Sequence, residues 1–429
     1  MRYISHHGRK NRLQMAIDGI INIYKDQNIT SHDVAVHVRR LIGVRRVGHT
    51  GTLDPMATGV LPVCIGRSAR VMEYLDTDLK KYRCTMKLGR ATNTYDVWGE
   101  VLEEASEEAV NSVAEDDVRK VLSGFTGRIK QTPPLYSAVK VKGKRLYEYA
   151  RKGRDVEIPE REVYITSLEI EDMRLGIGYD SWVRFSCECT KGTFIRSICH
   201  DAGNMLGVYG CLSELTRTAS GIFTEDDALT LDQLREKLGY TRETEPRRGG
   251  VSRSQISDSP EKLIGYVDQD RQDDECTYDA EPKESAECEH AGNAFASEKA
   301  DCEHDNTEEH TLKLLHAPDD VLGMLGAVRM EPKDALRLIN GLEIERSVYT
   351  ILEEPKYKRE EFYFPVEDKY KRLYRIYSPL TENMEIPGRP GGAVWYPERT
   401  IHGETGLRFI GLGLQDPENG HLWPEKIFI

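Results

Sequence analysis

The chain has 429 residues, 39% hydrophobic content and a formal net charge of -13. It contains no run of about 18 apolar residues, which excludes a membrane-spanning helix. Its nine cysteines include no Cys-x-x-Cys pair, which argues against a four-cysteine zinc site and a disulfide framework and points to a reducing, cytoplasmic setting.

The length suggests roughly two or three domains. An acidic chain is a poor nucleic-acid binder overall, because phosphate contacts need Lys and Arg. The excess, however, is local. Residues 261–310 carry 17 Asp and Glu against 4 Lys and Arg, leaving 55 residues of each sign elsewhere.

Residues 1–14 are polar and basic and read as a disordered tail, with Met1 or Met15 as the start. A strand is expected over 16–24. Ser31 looks like an N-cap, followed by a helical stripe of Val34, Val38, Leu41 and Ile42. Arg39, Arg40, Arg45 and Arg46 cluster at the end of that helix, where they suit its dipole or a phosphate. Residues 47–66 read as a Gly- and Pro-rich loop leading into a strand over 60–65. Strands are expected at 82–88 and 96–102, helices at 115–123 and after Arg145, and mostly strand over 163–196. Cys187 and Cys189 alternate there as small apolar fillers. Helices should follow at 194–206 and 229–238. This order lacks regular strand–helix alternation, so the fold class is α+β.

From 241 to 311 the chain turns acidic and nearly loses its aromatic anchors, which predicts a disordered insertion. Cys288-Glu289-His290 and Cys302-Glu303-His304 are near-duplicates, but their spacing is not a usual zinc spacing, and they read as linker. Periodicity returns at Leu312, with a helix over 332–340. Short strands split by Gly and Pro over 346–429 suggest a small β-barrel.

The densest signal is Arg45 to Gly66. Gly48, Gly51 and Gly59 permit unusual backbone angles and close approach of a ligand. Asp54 precedes Pro55, which keeps it out of a helix. A carboxylate held on such a loop can be a nucleophile or base, or the side chain of a plain Asx-turn.

This loop, Gly48-His49-Thr50-Gly51-Thr52-Leu53-Asp54-Pro55, resembles the signature of the TruB family of tRNA pseudouridine synthases. Further blocks recur in the family's order: Lys81-Tyr82, then Leu88 to Gly99; Gln131 to Lys140, continuing through Tyr147 to Arg151; Lys191 to Ser197; and Leu215 to Phe223. The likeness spans about 16–238. It implies a mixed, largely antiparallel sheet flanked by helices, over residues 15–240. Residues 312–429, with Tyr374-Arg375-Ile376-Tyr377 and Leu422 to Phe428, resemble a PUA-type domain.

The resemblance implies that the T-loop uridine of tRNA (position 55) is detached from ribose, turned and rejoined through C5. It implies Asp54 as the catalytic carboxylate, Arg196 as its arginine partner and Tyr82 as the ring stacking on the base. His49 matches the residue that takes part in base flipping, and Leu215 an apolar pocket wall. No cofactor or metal is expected. The implied partner is tRNA, its T-arm stem-loop and acceptor end, with no membrane, no obligatory protein partner and a monomeric enzyme.

Residues 125–155, including Lys140 and Arg145 among Tyr136, Tyr147 and Tyr149, suit an RNA backbone and unstacked bases. The resemblance makes this segment an RNA-clamping insertion. Three departures stand out. Phe194 replaces a usual Tyr, Lys25-Asp26-Gln27-Asn28 lacks the usual Pro and Gly, and Asn93 replaces a frequent Asp. Asn28 can adopt the left-handed conformation the loop needs. A guide-RNA-dependent rRNA enzyme and a tRNA-binding or folding protein remain as alternatives, and the basic insertion argues against the first.

Overall fold

The structure is a computed structural model that describes residues 17–74, 79–241, 244, 311–358, 366–380 and 396–428. The expected tail over 1–14 lies outside these residues. So does the acidic segment 241–311, apart from Thr241, Thr244 and Thr311.

Strand β1 (Gly19–Lys25) leads to helix α1 (Ser31–Ile42), then to β2 (Val47–His49), β3 (Thr58–Ile65) and β4 (Lys80–Leu88). β5 (Arg90–Thr92) and β6 (Val101–Glu104) form a hairpin, and α2 (Glu107–Asn111) and α3 (Glu115–Ser123) precede β7 (Gly127–Gln131). A second hairpin, β8 (Lys140–Val141) and β9 (Lys144–Arg145), runs straight into α4 (Leu146–Arg151). The body ends with β10 (Arg161–Arg174), β11 (Trp182–Cys189), α5 (Ile195–Met205), β12 (Gly210–Ser220), β13 (Phe223–Thr224) and α6 (Leu231–Lys237).

Nine of these strands make one sheet in the order β1-β3-β12-β4-β11-β10-β7, with β2 on β3 and β13 on β12. Its pairings are antiparallel except β12 with β3. This is the expected mixed, largely antiparallel sheet. One core, with Met86, Phe185 and Ile198, packs α3 and α5 on the sheet. A second, with Ile23, Val38 and Leu61, packs α1 and α6. Cys187 and Cys189 are fully buried thiols, as fillers should be.

Two local expectations need correction. The cap of α1 is Thr30, whose side chain accepts from the Asp33 N–H while Asp33 accepts from the Thr30 N–H. That capping box is better satisfied than a lone Ser31 cap, and it frees the buried Ser31 for another task. The strand expected at 96–102 is mostly turn. Asn93 exchanges two 3.0 Å hydrogen bonds with Glu100, and Asp96 accepts from Thr94 and from the Trp98 N–H. These side chains satisfy the backbone locally, and only Val101–Glu104 remains strand.

The C-terminal region holds β14 (Gly326–Met330), α7 (Pro332–Ile339), β15 (Tyr349–Glu353), β16 (Leu373–Ser378), β17 (Arg399–Ile401), β18 (Glu404–Gln415) and β19 (Leu422–Ile427). The strands form a six-stranded half-barrel sheet, β15-β14-β16-β18-β17 with β19 on β18. Its core is continuous with the body: Ile20, Val60 and Phe223 share a cluster with Leu322, Tyr374 and Phe409. His316 and Ile20 exchange two 2.8 Å backbone bonds across the sheet edge. Arg70 Nη1 donates to the Ile427 carbonyl at 2.7 Å.

Among the described residues no helix is long and apolar enough to cross a membrane, and no cluster of His, Cys, Asp and Glu could hold a metal ion.

Candidate active site

Asp54 sits on the connection between β2 and β3, and that connection is held at several points. Ser31 Oγ accepts from the Leu53 N–H at 2.9 Å and donates to the Leu53 carbonyl at 3.2 Å. Lys25 is fully buried and donates to the carbonyls of Pro55 (3.1 Å), Ile29 (2.8 Å) and Asp26 (2.9 Å). Burial draws its ammonium down to about 8, with Asp54 and Asp26 opposing. The Asn28 N–H donates to the Pro55 carbonyl at 2.9 Å, and Asn28 takes φ 66°. The departure from the usual Pro and Gly therefore preserves the left-handed turn.

Beneath the loop lies Arg217, which is 1% exposed. Its Nε donates to the Val60 carbonyl at 2.7 Å and its Nη1 to the Gly51 carbonyl at 2.9 Å. Gly59 makes this possible. It has φ 104°, and a Cβ there would lie 2.2 Å from the Arg217 carbonyl oxygen.

Arg196 stands in the first turn of α5 and its side chain is 6% exposed. Its Nε lies 2.9 Å from Asp54 Oδ2 and its Nη1 lies 3.6 Å from Asp96 Oδ2. Nη1 also donates to the Thr94 carbonyl at 2.9 Å, and Nη2 to the Tyr136 carbonyl at 3.2 Å. One guanidinium thus gathers the Asp54 loop, the 93–100 turn and the segment leading to the basic hairpin. An arginine fork suits this, since it presents several donors at fixed angles and stays charged. The Asp96 carboxyl is raised by burial, with its Thr94 hydrogen bond and Arg196 opposing. Asp54 keeps nearly half of its side chain exposed, so the paired carboxylate still faces the cleft.

The cleft is lined by Thr52, Leu53 and Asp54 on one side and by Tyr82, Thr193 to Arg196, and Leu215 on the other. Tyr82 is partly buried on β4. Burial pushes its phenol up to about 12, although Arg217 pulls the other way. Phe194 caps α5, its backbone clamped by the buried Gln131 side chain at 3.0 and 3.1 Å. Phe194 and Leu215 give the cleft apolar walls, and Asp54, Arg196 and Tyr82 give it charge and a hydroxyl.

Of the residues expected from sequence, Asp54, Tyr82, Phe194, Arg196 and Leu215 meet here. His49, at the end of β2, does not line the cleft. Burial lowers its imidazole to about 4, so it is neutral near pH 7. Lys140 and Arg145 lie exposed and paired in register on the β8–β9 hairpin, outside the cleft wall. Arg145 and Arg151 both lie over the Tyr147 ring, at 5.9 and 5.4 Å.

Sequence reasoning missed Asp96, Arg217, Ser31, Lys25 and Gln131 as parts of this site. Each lies within or beside a block that resembles the family; a lysine ending the apolar run of β1 was the available signal for Lys25, whereas Arg217 lies among Glu214, Thr216 and Thr218 on β12 and had none.

The family described as TruB family pseudouridylate synthase (N terminal domain) matches residues 39–195, and the tRNA pseudouridylate synthase B C-terminal domain matches 196–254. The division between them falls at the start of α5, between strands of the same sheet. The tRNA pseudouridine synthase B of Clostridium tetani (strain Massachusetts / E88) is 43% identical over 221 residues, covering 52% of this chain and 74% of that protein. That of Alkaliphilus oremlandii (strain OhILAs) is 45% identical over 218 residues, 51% of this chain and 70% of that protein. Among solved structures, a Cbf5-Nop10-Gar1 complex has a TM-score of 0.54 at 21% identity, covering 96% of this chain and 85% of that one. An H/ACA RNP bound to a substrate RNA gives a TM-score of 0.53 at 18% identity, with 96% and 85% covered. The likeness to those structures shows the fold alone. The identity to the bacterial enzymes, over nearly three quarters of their length, goes further: this chain belongs to the TruB family of pseudouridylate synthases.

Proposed function

We propose that this protein is a tRNA pseudouridine synthase acting on the T-loop uridine (position 55), with Asp54 as its catalytic carboxylate. The observation that carries the reading is the half-exposed Asp54 carboxylate held by the buried Arg196 at 2.9 Å, in a cleft that also presents Tyr82 and Leu215.

The reaction breaks the C1′–N1 bond, rotates the base and forms a C5–C1′ bond. It is redox-neutral, so the reading includes no cofactor. A target base must leave its stack to reach such a cleft. Tyr82 offers a ring for it to stack on, and Phe194 and Leu215 wall it in. Asp54 acts at C1′, and Arg196 holds that carboxylate and aims it. His49, neutral and near the loop, braces the gap the base leaves. Lys140 and Arg145 bind phosphates of the stem-loop, and the C-terminal sheet holds the acceptor end.

In this reading residues 15–240 are the catalytic domain, with 125–155 as its RNA clamp. Residues 241–311 are an insertion and 312–429 an RNA-binding domain. The enzyme works as a cytoplasmic monomer without a protein partner. Relatives named tRNA pseudouridine synthase B, at more than 40% identity, support a tRNA substrate over a guide-directed one.

The test is pseudouridine mapping of a tRNA transcript incubated with the purified protein. Pseudouridine should appear at the T-loop uridine with no guide RNA, and Asp54→Asn should abolish it. Product elsewhere, or full activity of Asp54→Asn, refutes the reading.

A further inference from the structure

The largest fully buried side chain among the described residues, Arg217, has no part in the reaction outlined above. A buried cation normally needs a carboxylate partner to offset its lost hydration. Among the described residues Arg217 has none, and the one acidic group acting on it is the Tyr82 hydroxyl. Two of its nitrogens are satisfied by the Val60 and Gly51 carbonyls. The third, Nη2, is buried with no partner at ordinary hydrogen-bond distance among the described residues, while the Tyr82 hydroxyl acts on the guanidinium as a hydrogen-bonding side chain. Such a donor is costly to bury and asks for an explanation.

Tyr82 and Arg217 are direct partners in the antiparallel register of β4 and β12. Opposed residues of an antiparallel pair project to the same face of the sheet. Each shifts the other's protonation, Arg217 drawing the phenol down and Tyr82 drawing the guanidinium up. The Gly51 carbonyl it holds lies three residues before Asp54, on the loop that carries it. Gly59, opposite Arg217 in the register of β3, has no side chain to block this arrangement.

We propose that Arg217 is a positioning residue for the reaction: Nε and Nη1 fix the loop carrying Asp54, and Nη2 donates to the Tyr82 hydroxyl. One guanidinium then sets the separation between the carboxylate and the ring on which the base stacks. With its lone pair engaged by Arg217, the phenol keeps its own proton directed into the cleft toward the base. The inference rests on the proposed function for the identity of the base and on the fold alone for the contact.

A double-mutant cycle tests it. Arg217→Lys keeps the charge and loses the fork. It should lower kcat for pseudouridine formation about tenfold or more while KM stays within about threefold, and in a Tyr82→Phe background, where only the hold on the Asp54 loop is left to lose, the fold-loss should be at least about threefold smaller. An equal loss in both backgrounds overturns the link to Tyr82. A second measurement needs no change at Arg217. In protein labelled with 15N-arginine, Tyr82→Phe should move the Arg217 guanidinium resonances, and unmoved resonances overturn the proposal. That spectrum decides the matter if Arg217→Lys does not fold or Tyr82→Phe is too slow to assay. Wild-type protein that forms no pseudouridine refutes the proposed function, while the spectrum still reports on the contact.

Discussion

Arg196 Nε meets Asp54 Oδ2 at 2.9 Å while the same guanidinium holds Asp96, Thr94 and Tyr136 behind it. The carboxylate is thereby fixed from the buried side and left open toward the cleft. This arrangement makes the supporting groups as testable as Asp54.

Asp96→Asn should keep the 93–100 turn, because the amide oxygen can still accept from Thr94 and from the Trp98 N–H. It removes only the second negative charge beside Arg196. A charge-assisted contact is worth about 1.5 kcal/mol or more, so kcat should fall about tenfold with KM little changed. Burial already disfavours the charged form of Asp96, so the melting temperature should not drop. Steady-state kinetics with a melting curve checks both.

Ser31→Ala strips Leu53 of two hydrogen bonds in a buried setting. The expected loss of stability is about 1–3 kcal/mol. The position of Asp54 should loosen, lowering kcat more than it raises KM. Urea denaturation and kinetics on the same preparation give both figures.

Gly43→Ala and Gly59→Ala form a matched pair. Both glycines have positive φ, but a Cβ at Gly43 meets open space, whereas one at Gly59 meets the Arg217 backbone at 2.2 Å. The first should cost about 1 kcal/mol from the left-handed conformation alone. The second should cost more than about 3 kcal/mol, because strand β12 must move. Equal losses in urea denaturation would contradict the geometry.

Asp201 on α5 is pushed up from 3.8 to about 6 by burial. Between those values the folded state binds more protons than the unfolded one, so stability falls as pH rises through about 4 to 6. Above that window the penalty is fully present, and below it the penalty vanishes. Asp201→Asn should therefore stabilise the protein at pH 7 by about 1 kcal/mol after solvent screening. The gain should disappear near pH 4. Denaturation at the two pH values checks the sign.

Lys140→Ala with Arg145→Ala removes two exposed charges from the β8–β9 hairpin. If these meet phosphates, tRNA affinity should fall and the slope of log K against log salt should shrink by about one to two. Binding titrations at several salt concentrations measure it, and an unchanged slope would remove the hairpin from the RNA interface.

Much of this fold is written locally in the chain. The apolar runs of β1 and β3, the helical stripe of α1 and the alternation of β11 write their periods into the chain, so these elements were legible. The Asp54 loop and the later blocks were legible too, because each block's side chains and backbone turns are contiguous in sequence. The α+β class and the mixed sheet followed from the same elements and the resemblance.

How charge is shared among them depends on packing between distant segments. Nothing local marks Asp96 as the partner of an arginine 100 positions away, or Arg217 as the buried cation under Gly51. Ser31 looked like a cap because a Ser before an apolar stripe usually is one, but Thr30 with Asp33 satisfies the helix end better. That leaves Ser31 to a loop 22 residues on. Hydrophobic periodicity reports which face of an element is buried. It does not report which buried donor meets which distant acceptor, because that depends on strand register and on the glycines that let backbones approach. Asp54, the proposed catalytic carboxylate, could therefore be named from the sequence, whereas the groups that hold it in place could be named only once β4, β12 and α5 were set side by side.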